Sequence, residues 1–184
     1  MKKKVNKIIK KISFSSTQIE GEGKEEARKI MRAMEFIKKG KADKLSPEEL
    51  ILTLHKIVME GEEEKNPGQY RTVQVFIGGS SHVPPRPQFL HYYMEEIYEA
   101  MEEIKNKRGK HVLPLIAELH KNFVVIHPFV DGNGRVGRVL INWATWRCLK
   151  KFCLIRNEDR AGYIKALDEE DIEGLTKLIK KGLM

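Results

Sequence analysis

Apolar residues recur every three or four positions along most of this chain, as they do on one face of an α-helix. The stripes begin near residue 5 and continue almost to the last residue. They predict helices over about 5–12, 14–20, 25–38, 47–59, 89–105, 114–126, 136–146, 158–167 and 171–179. The first two segments are compatible with one continuous helix or with a helix that restarts.

One stretch follows a β pattern instead. Val73, Val75 and Ile77 alternate with other residue types, and residues 82–85 return in extended form because proline excludes helix. This predicts a small β-hairpin over about 72–84, which is marginal alone and must rest on a helical body. Its edge is either purely structural or able to pair with an extended peptide. The predicted fold class is therefore an all-α helical bundle with one small β-hairpin.

Length and composition fit a single globular domain. The chain has 184 residues, of which 41% are hydrophobic and 33% charged, as in ordinary globular proteins. No apolar run approaches the ~18 residues of a membrane span, and the lysine-rich start lacks the apolar part of a secretory signal. Cys148 and Cys153 lack metal-ligand spacing, so we expect reduced, buried thiols. These features predict a cytoplasmic protein with no membrane partner.

The net charge of +8 raises the question of nucleic acid as a partner. Six of the lysines lie in residues 1–11, which leaves 28 basic against 26 acidic residues in the rest of the chain. We therefore separate a basic N-terminal segment, residues 1–12, from a single domain, residues 13–184. The basic segment is expected to be a solvated end. A non-catalytic module that binds nucleic acid through it is the non-enzymatic alternative.

A glycine-rich loop between two long helical patterns has the composition of an anion site. Gly132 and Gly134 remove side chains, so that backbone amides can approach oxygen atoms closely. Asn133 adds a side-chain donor, and Arg135 and Arg138 supply planar forks that suit phosphate. The helix that begins here directs the positive end of its dipole to the same place. The spacing is not that of a P-loop, but the combination predicts a site for a nucleotide polyphosphate.

Two further side chains of this loop add chemistry. Asp131 is a hard oxygen ligand, well placed for a Mg²⁺ ion that bridges phosphates. His127 has a side chain that can accept a proton from an attacking hydroxyl near neutral pH. His55, in the third helical pattern, is by contrast expected to be a structural histidine. The loop therefore favours an enzyme, and a nucleic-acid module would leave it unexplained.

Residues 127–138 also resemble the core motif of the Fic family. They match H-P-F-x-[DE]-G-N-G-R-x-x-R at every defined position. Residues 68–85 are similar to the flap of that family, residues 117–126 to the helix before the motif, and residues 160–167 to the helix after it. The resemblance covers nearly the whole chain and implies a Fic-type helical bundle with one flap.

Fic proteins transfer AMP from ATP to a hydroxyl of a target protein, usually on Tyr, Ser or Thr. The resemblance implies a protein adenylyltransferase that releases pyrophosphate, with His127 as the catalytic base. Asp131 would hold Mg²⁺, or Mn²⁺ in its place, and the target would lie along the flap as an extended segment. The residues implied to bind ATP are Ile77, Gly78, Asp131, Gly132, Asn133, Gly134, Arg135, Arg138 and Tyr163.

The resemblance extends to a segment ahead of the core. Ser16, Glu20 and Gly21 fit the inhibitory pattern [ST]-x-x-x-E-[GN], which implies an inhibitory helix over about 13–21. Glu20 would pair with Arg138 and occupy the guanidinium that the γ-phosphate of ATP needs. Ser16 lies four residues earlier, on the same face of a helix.

The same residues leave a second reaction open. In a hydrolysis that removes AMP from a modified protein, Glu20 would orient a water and His127 would protonate the leaving hydroxyl. The intact Gly132-Asn133-Gly134 favours AMP chemistry over the phosphate-transferring branch of the family. Association into a homo-oligomer is also left open.

Overall fold

The described part of the protein contains eight α-helices, joined by loops and short 3-10 turns. The computed structural model describes residues 2–20, 23–80 and 82–184, except for the side chains of residues 2–4 and 20. The helices are α1 (Lys2–Glu20), α2 (Lys24–Lys38), α3 (Pro47–Val58), α4 (Leu90–Lys105), α5 (Leu113–Ile126), α6 (Asn133–Leu149), α7 (Arg160–Asp168) and α8 (Ile172–Gly182). The predicted all-helical class is confirmed. Within these ranges, no helix has both the length and the hydrophobicity needed to cross a membrane.

Helix α6 runs through the middle of the molecule, and most of its residues are buried. Helices α2 to α5 pack around it. The polar Arg135, Arg138 and Asn142 are buried with it, so their hydrogen bonds must be made inside the protein. Asn142, for example, donates from Nδ2 to the Arg138 carbonyl at 2.9 Å, and its Oδ1 accepts from the Cys153 N–H at 2.9 Å. Helix α6, whose first turn carries the predicted site, is thus held from several sides.

A single helix, α1, covers the described residues of both the basic segment and the predicted inhibitory segment. It packs chiefly against α2 and buries Ile9 and Ile19. Ser15 Oγ donates to the carbonyl of Ile155 at 2.7 Å. Arg160 Nε donates to the carbonyl of Ile19, also at 2.7 Å. Because both bonds reach the chain that follows α6, the last turns of α1 are fixed relative to the central helix.

The segment predicted as a β-hairpin, residues 72–84, forms no strands among its described residues. Two arms without regular secondary structure flank a turn around Gly79, whose φ of 79° suits glycine. The returning arm contains Pro84 and Pro85, which have no N–H to donate to a ladder. Gln74 instead links the arms, because its Nε2 donates to the carbonyl of Pro84 at 2.9 Å. The predicted turn is present, and the strand ladder is not; we call residues 72–85 the flap.

Cys148 and Cys153 are free and buried, as the sequence predicted. Burial raises the pKa of Cys153 to about 12, so this thiol stays protonated at neutral pH. Cys153 also forms, with Leu183, the one isolated β-bridge found in the described residues. The bridge fastens the end of α8 to the segment after α6.

Candidate active site

His127 ends helix α5 in a left-handed backbone conformation, with φ at 51°. Its N–H donates to the Phe123 carbonyl at 3.1 Å, and Pro128 prevents a further helical turn. Its side-chain Nδ1 lies 3.0 Å from the carbonyl oxygen of Val124. Because a carbonyl only accepts, Nδ1 must carry the proton, and Nε2 of the neutral ring then presents a lone pair. In the neutral ring, Nε2 is therefore the nitrogen with acceptor character.

Phe129, two residues later, anchors the loop in the core, where its ring is fully buried. The Phe129 N–H donates to Asn133 Oδ1, and the Phe129 carbonyl accepts from Asn133 Nδ2, both at 2.9 Å. Both ends of the Asn133 amide are thus used inside the loop. The sequence predicts a side-chain donor to an anion at this position; in this arrangement one Nδ2 hydrogen is bonded within the loop, and the backbone N–H of Asn133 is a further donor at the start of α6.

His55 on α3 supports the same loop, and its side chain is fully buried. Its ring stacks on Phe129 with centroids 3.6 Å apart and planes 2° from parallel. Nδ1 accepts from the Gly68 N–H at 2.8 Å, and Nε2 donates to the Asp131 carbonyl at 3.1 Å. Burial lowers the pKa of His55 to about 4, so one neutral tautomer satisfies both bonds. The sequence indicated a structural histidine, but not that it holds the backbone of Asp131.

The first turn of α6 forms the anion cradle. The helical ladder begins with the bond from Val136 N to the Gly132 carbonyl at 2.9 Å. The N–H groups of Asn133, Gly134 and Arg135 precede this bond, so they have no partner in the helix ladder. Together with the positive end of the helix dipole, these amides favour an anion at this end of α6.

Gly132 is required for packing as well as for the turn. Its φ is 77°, a conformation that costs an L residue about 1–2 kcal/mol. A Cβ at this position would lie 2.6 Å from Met59 Sδ and 3.6 Å from His55 Cδ2. The glycine therefore allows α3 to approach the loop closely, which is a second reason for it besides amide access to an anion.

The carboxylate of Asp131 lies beside the cradle. Its Oδ1 accepts from Arg135 Nη2 at 3.1 Å and from the Gly132 N–H at 2.5 Å. The Asp131 side chain is 45% exposed, whereas that of Arg135 is 1% exposed. The ion pair thus fixes the orientation of a carboxylate that still faces solvent.

Arg138, one turn further along α6, contacts the N-terminal helix. Its Nε donates to Ser16 Oγ at 2.8 Å, and its Nη2 donates to the Ser16 carbonyl at 3.0 Å. Both residues are buried. The structure therefore brings the predicted inhibitory Ser16 to the arginine predicted to bind the γ-phosphate. The side chain of Glu20 lies outside the described residues, so the pair between Glu20 and Arg138 stays a prediction.

A cavity of about 110 Å³ lies between the flap and helices α5 and α7. Ile77 and Gly78, two of the predicted ATP contacts, line it from the flap, and Ile164 lines it from α7. His82 Nε2 lies 3.2 Å from the carbonyl oxygen of Val125, which fastens the returning arm of the flap to α5. The flap therefore covers a largely apolar cleft.

Tyr163, the remaining predicted ATP contact, does not line this cavity. It is 1% exposed, and its hydroxyl lies 2.8 Å from Nε2 of the buried His120. The His120 ring in turn lies against α6, where a Cβ on Gly137 would be 3.0 Å from it. The structure thus places Tyr163 beside a buried histidine, and its contact with ATP stays a prediction.

Fold and loop together define a helical protein in which one loop holds a helix N-terminus suited to an anion, a carboxylate and a potential base. A family model described as "Fic/DOC family" matches residues 44–145, more than half of the chain. The chain belongs to the Fic/DOC family. The matched range includes the flap and the central loop and begins after α1 and α2.

Curated relatives support this assignment. Protein adenylyltransferase Fic of Drosophila grimshawi is 33% identical over 132 residues, which are 70% of this chain and 27% of that protein. Protein adenylyltransferase Fic of Nematostella vectensis is 34% identical over 119 residues, which are 65% of this chain and 27% of that protein. The chain thus spans about a quarter of the length of these relatives.

Solved structures share the fold. A Fic domain containing signaling protein from Bacteroides thetaiotaomicron superposes with a TM-score of 0.82 at 21% identity, covering 98% of this chain and 84% of that chain. Fic-1 from C. elegans (residues 134–508) gives a TM-score of 0.64 at 23% identity, covering 82% of this chain and 45% of that chain. The first superposition includes nearly the whole chain, and therefore most of the helices outside the family match.

Proposed function

We propose that this chain transfers AMP from ATP to a hydroxyl side chain of a target protein, on Tyr, Ser or Thr, and releases pyrophosphate. The observation that carries the proposal is the position of the His127 ring, whose Nδ1 lies 3.0 Å from the Val124 carbonyl oxygen. This bond directs the basic Nε2 away from α5 within a motif that also forms an anion cradle. Relatives named protein adenylyltransferase Fic support the same reaction.

The reaction follows from the positions of these groups. His127 Nε2 accepts the proton of the target hydroxyl, and the hydroxyl oxygen forms a bond to the α-phosphorus of ATP. The bond from that phosphorus to the oxygen that bridges the α- and β-phosphates breaks, and pyrophosphate leaves with the electron pair. The N–H groups of the first turn of α6, with Arg135 and Arg138, stabilise the charge on the phosphates. Catalysis is therefore positioning combined with electrostatic stabilisation.

The residues present fit a divalent cation that arrives with the nucleotide. Among the described residues, no group of three or more His, Cys, Asp or Glu side chains could hold a metal by itself. Mg²⁺ does not need one, because it keeps several waters and binds through one or two carboxylates plus phosphates. The half-exposed Asp131 carboxylate beside the cradle is the residue that would hold it. When bound, Mg²⁺, or Mn²⁺ in its place, neutralises and orients the phosphate oxygens.

The flap cavity would receive the nucleoside part of ATP. Ile77 and Gly78 line it, and a largely apolar cleft suits the faces of a purine ring. The flap arms would bind the target as an extended segment, since backbone groups that form no strand ladder can pair with another chain.

Helix α1 would keep the enzyme inactive. The contact between Ser16 and Arg138 supports this, because it places the α1 face that carries the inhibitory pattern at the predicted γ-phosphate site. Glu20 follows Ser16 by four residues, the spacing that keeps two side chains on one helical face. A carboxylate from this face would compete with the γ-phosphate for Arg138.

The test is transfer of label from α-labelled ATP to protein, followed by mass analysis. Glu20→Gly should raise transfer onto an added target or onto the chain itself, and His127→Ala in the same background should abolish it. Absence of transfer by Glu20→Gly with Mg²⁺ and target present would contradict the proposal. Release of AMP from a pre-modified target, by the unmodified chain alone, would assign the reverse hydrolysis instead.

A further inference from the structure

Arg71 is a buried arginine with no acidic partner among the described residues. It is 3% exposed, and burial lowers the pKa of its guanidinium from the ordinary value. Burying such a charge is costly unless its donors are satisfied. Its hydrogen bonds therefore show what the charge is used for.

One part of Arg71 caps the helix that carries the base. Its Nε donates to the His127 carbonyl at 2.8 Å, and its Nη2 lies 3.4 Å from the Ile126 carbonyl. Its backbone N–H donates to the Pro128 carbonyl at 2.9 Å. Carbonyls at the end of a helix lack helical partners and carry the negative end of the dipole. Arg71 thus satisfies the end of α5 at the residue whose side chain is the predicted base.

Another part of Arg71 reaches both arms of the flap. Nη1 donates to the Val73 carbonyl at 3.0 Å, and Nη2 donates to the Pro85 carbonyl at 2.6 Å. The arms share no strand ladder, so side chains must hold them together. In the described residues, the other side-chain link between the arms is the bond from Gln74 to Pro84.

We propose that Arg71 is a positioning residue that couples the flap to His127. One planar guanidinium bonds both arms and the carbonyl of His127, so a displacement of the flap is transmitted to the base. His127 depends on this support because its left-handed backbone, with φ at 51°, is intrinsically unfavourable for a residue with a side chain. An ammonium group has its donors at one point and does not span these acceptors.

The substitution Arg71→Lys tests the coupling, with Arg147→Lys as its matched control. Arg147 also clamps a helix end, because its Nε and Nη2 lie 3.2 and 3.0 Å from the Lys105 carbonyl at the end of α4. It lies near the far end of α6, about 18 Å along the helix from the cradle. The control therefore removes a similar fork without touching the flap.

Two readouts separate positioning from stability. In the Glu20→Gly background, Arg71→Lys should lower kcat about 10- to 100-fold. KM for ATP should rise by a smaller factor, since Arg71 contacts no part of the anion cradle and only the flap side of the nucleoside cavity is loosened. Chymotrypsin should cleave several-fold faster after Phe76, which is 77% exposed on the flap. Arg147→Lys should change neither readout.

Three results would overturn the coupling: equal losses in kcat and ATP affinity, unchanged cleavage at Phe76, or faster cleavage with unchanged kcat. If Arg71→Lys fails to fold, Gln74→Ala in an exposed arm decides, because faster cleavage with lower kcat supports the coupling and any other result rejects it. The kinetic readout rests on the proposed function. Absence of AMP transfer in the Glu20→Gly background would count against that function. The cleavage rates at Phe76 would then show by themselves whether Arg71 holds the flap.

Discussion

Arg138 donates two hydrogen bonds to Ser16, one from Nε to the hydroxyl and one from Nη2 to the backbone carbonyl. The contact joins α1 to the central helix across 122 positions of the chain. A phosphate that bound the Nε edge of Arg138 would compete with Ser16 for these two N–H groups. The N-terminal helix therefore reaches the arginine predicted to bind phosphate through a contact that is separate from the predicted Glu20 pair.

Ser16→Ala should release Arg138 in part, because it removes the hydroxyl acceptor and keeps the carbonyl. We expect about 1 kcal/mol of the lost bond to appear as easier ATP binding, which is a rise of about fivefold in basal AMP transfer. Initial rates with labelled ATP measure the effect. Ser13→Ala is the control, since Ser13 Oγ donates to the Ile9 carbonyl at 2.9 Å within α1. If both variants match the unmodified chain, α1 does not limit access to Arg138.

Gly132→Ala should destabilise the protein by about 2–4 kcal/mol, because backbone strain and overpacking add. The new Cβ would meet Met59 Sδ at 2.6 Å, and φ is 77°. The free energy of unfolding in urea measures the loss. Gly162→Ala within α7 has no atom within 4 Å of its Cβ and should be neutral or stabilising. In a Met59→Ala background the steric part of the loss should disappear, and an unchanged loss there would show that strain alone is responsible.

The helices and the central loop could be predicted because their signals are local. Each amphipathic helix repeats its own apolar stripe, and the residues from His127 to Arg138 lie within a dozen positions. Even the buried α6 could be located, since the glycine-rich loop marks its start. Local spacing was sufficient wherever a residue and its neighbours in the chain also meet in space.

The supports of the loop could not be predicted, because their partners are backbone groups far along the chain. His55 bonds the Asp131 carbonyl 76 positions away, and Arg71 bonds the His127 carbonyl 56 positions away. Every residue has a carbonyl, so such partners leave no mark in the sequence. The prediction of a hairpin was wrong for a related reason. The alternation around Val75 predicts a strand, but a strand ladder also needs backbone N–H donors that the proline-rich arm lacks.

Asp131→Asn should weaken the Mg²⁺-dependent part of ATP binding about tenfold or more, since a neutral amide is a poorer ligand for a hard cation. Stability should change little, because the Oδ1 of an asparagine still accepts the bond from Arg135 Nη2 and this position is 45% exposed. Calorimetric titration of ATP with and without Mg²⁺, in the Glu20→Gly background, measures the difference. Asp43→Asn is the control, as Asp43 is 47% exposed and paired with Arg147. The same Mg²⁺ dependence of ATP binding in the Glu20→Gly parent, in Asp131→Asn and in Asp43→Asn would exclude Asp131 as the metal ligand.

Acidification should destabilise the fold through His120. Burial, with a further contribution from the charge of Arg138, lowers the pKa of His120 from 6.5 to about 3. Between these values the unfolded chain binds a proton that the folded protein excludes, so stability is full above pH 6.5 and falls as the pH drops toward 3. The loss over this window is of the order of a few kcal/mol, and His55, with its pKa lowered to about 4, adds to it.

Measurements between pH 7 and 5 separate the effect of the histidines from that of the carboxylates, because most carboxylates titrate below this range. Urea unfolding at several pH values in that range should show a falling stability in the unmodified chain. His120→Gln should lower stability at pH 7, because the fit against Tyr163 and Gly137 is lost, yet its slope with pH should be smaller. The test is therefore the change in slope rather than the size of the stability loss. Equal slopes in the two proteins would mean that His120 binds its proton in the folded state as it does in the unfolded chain. The buried pairing with Tyr163 would then not exclude the charged ring.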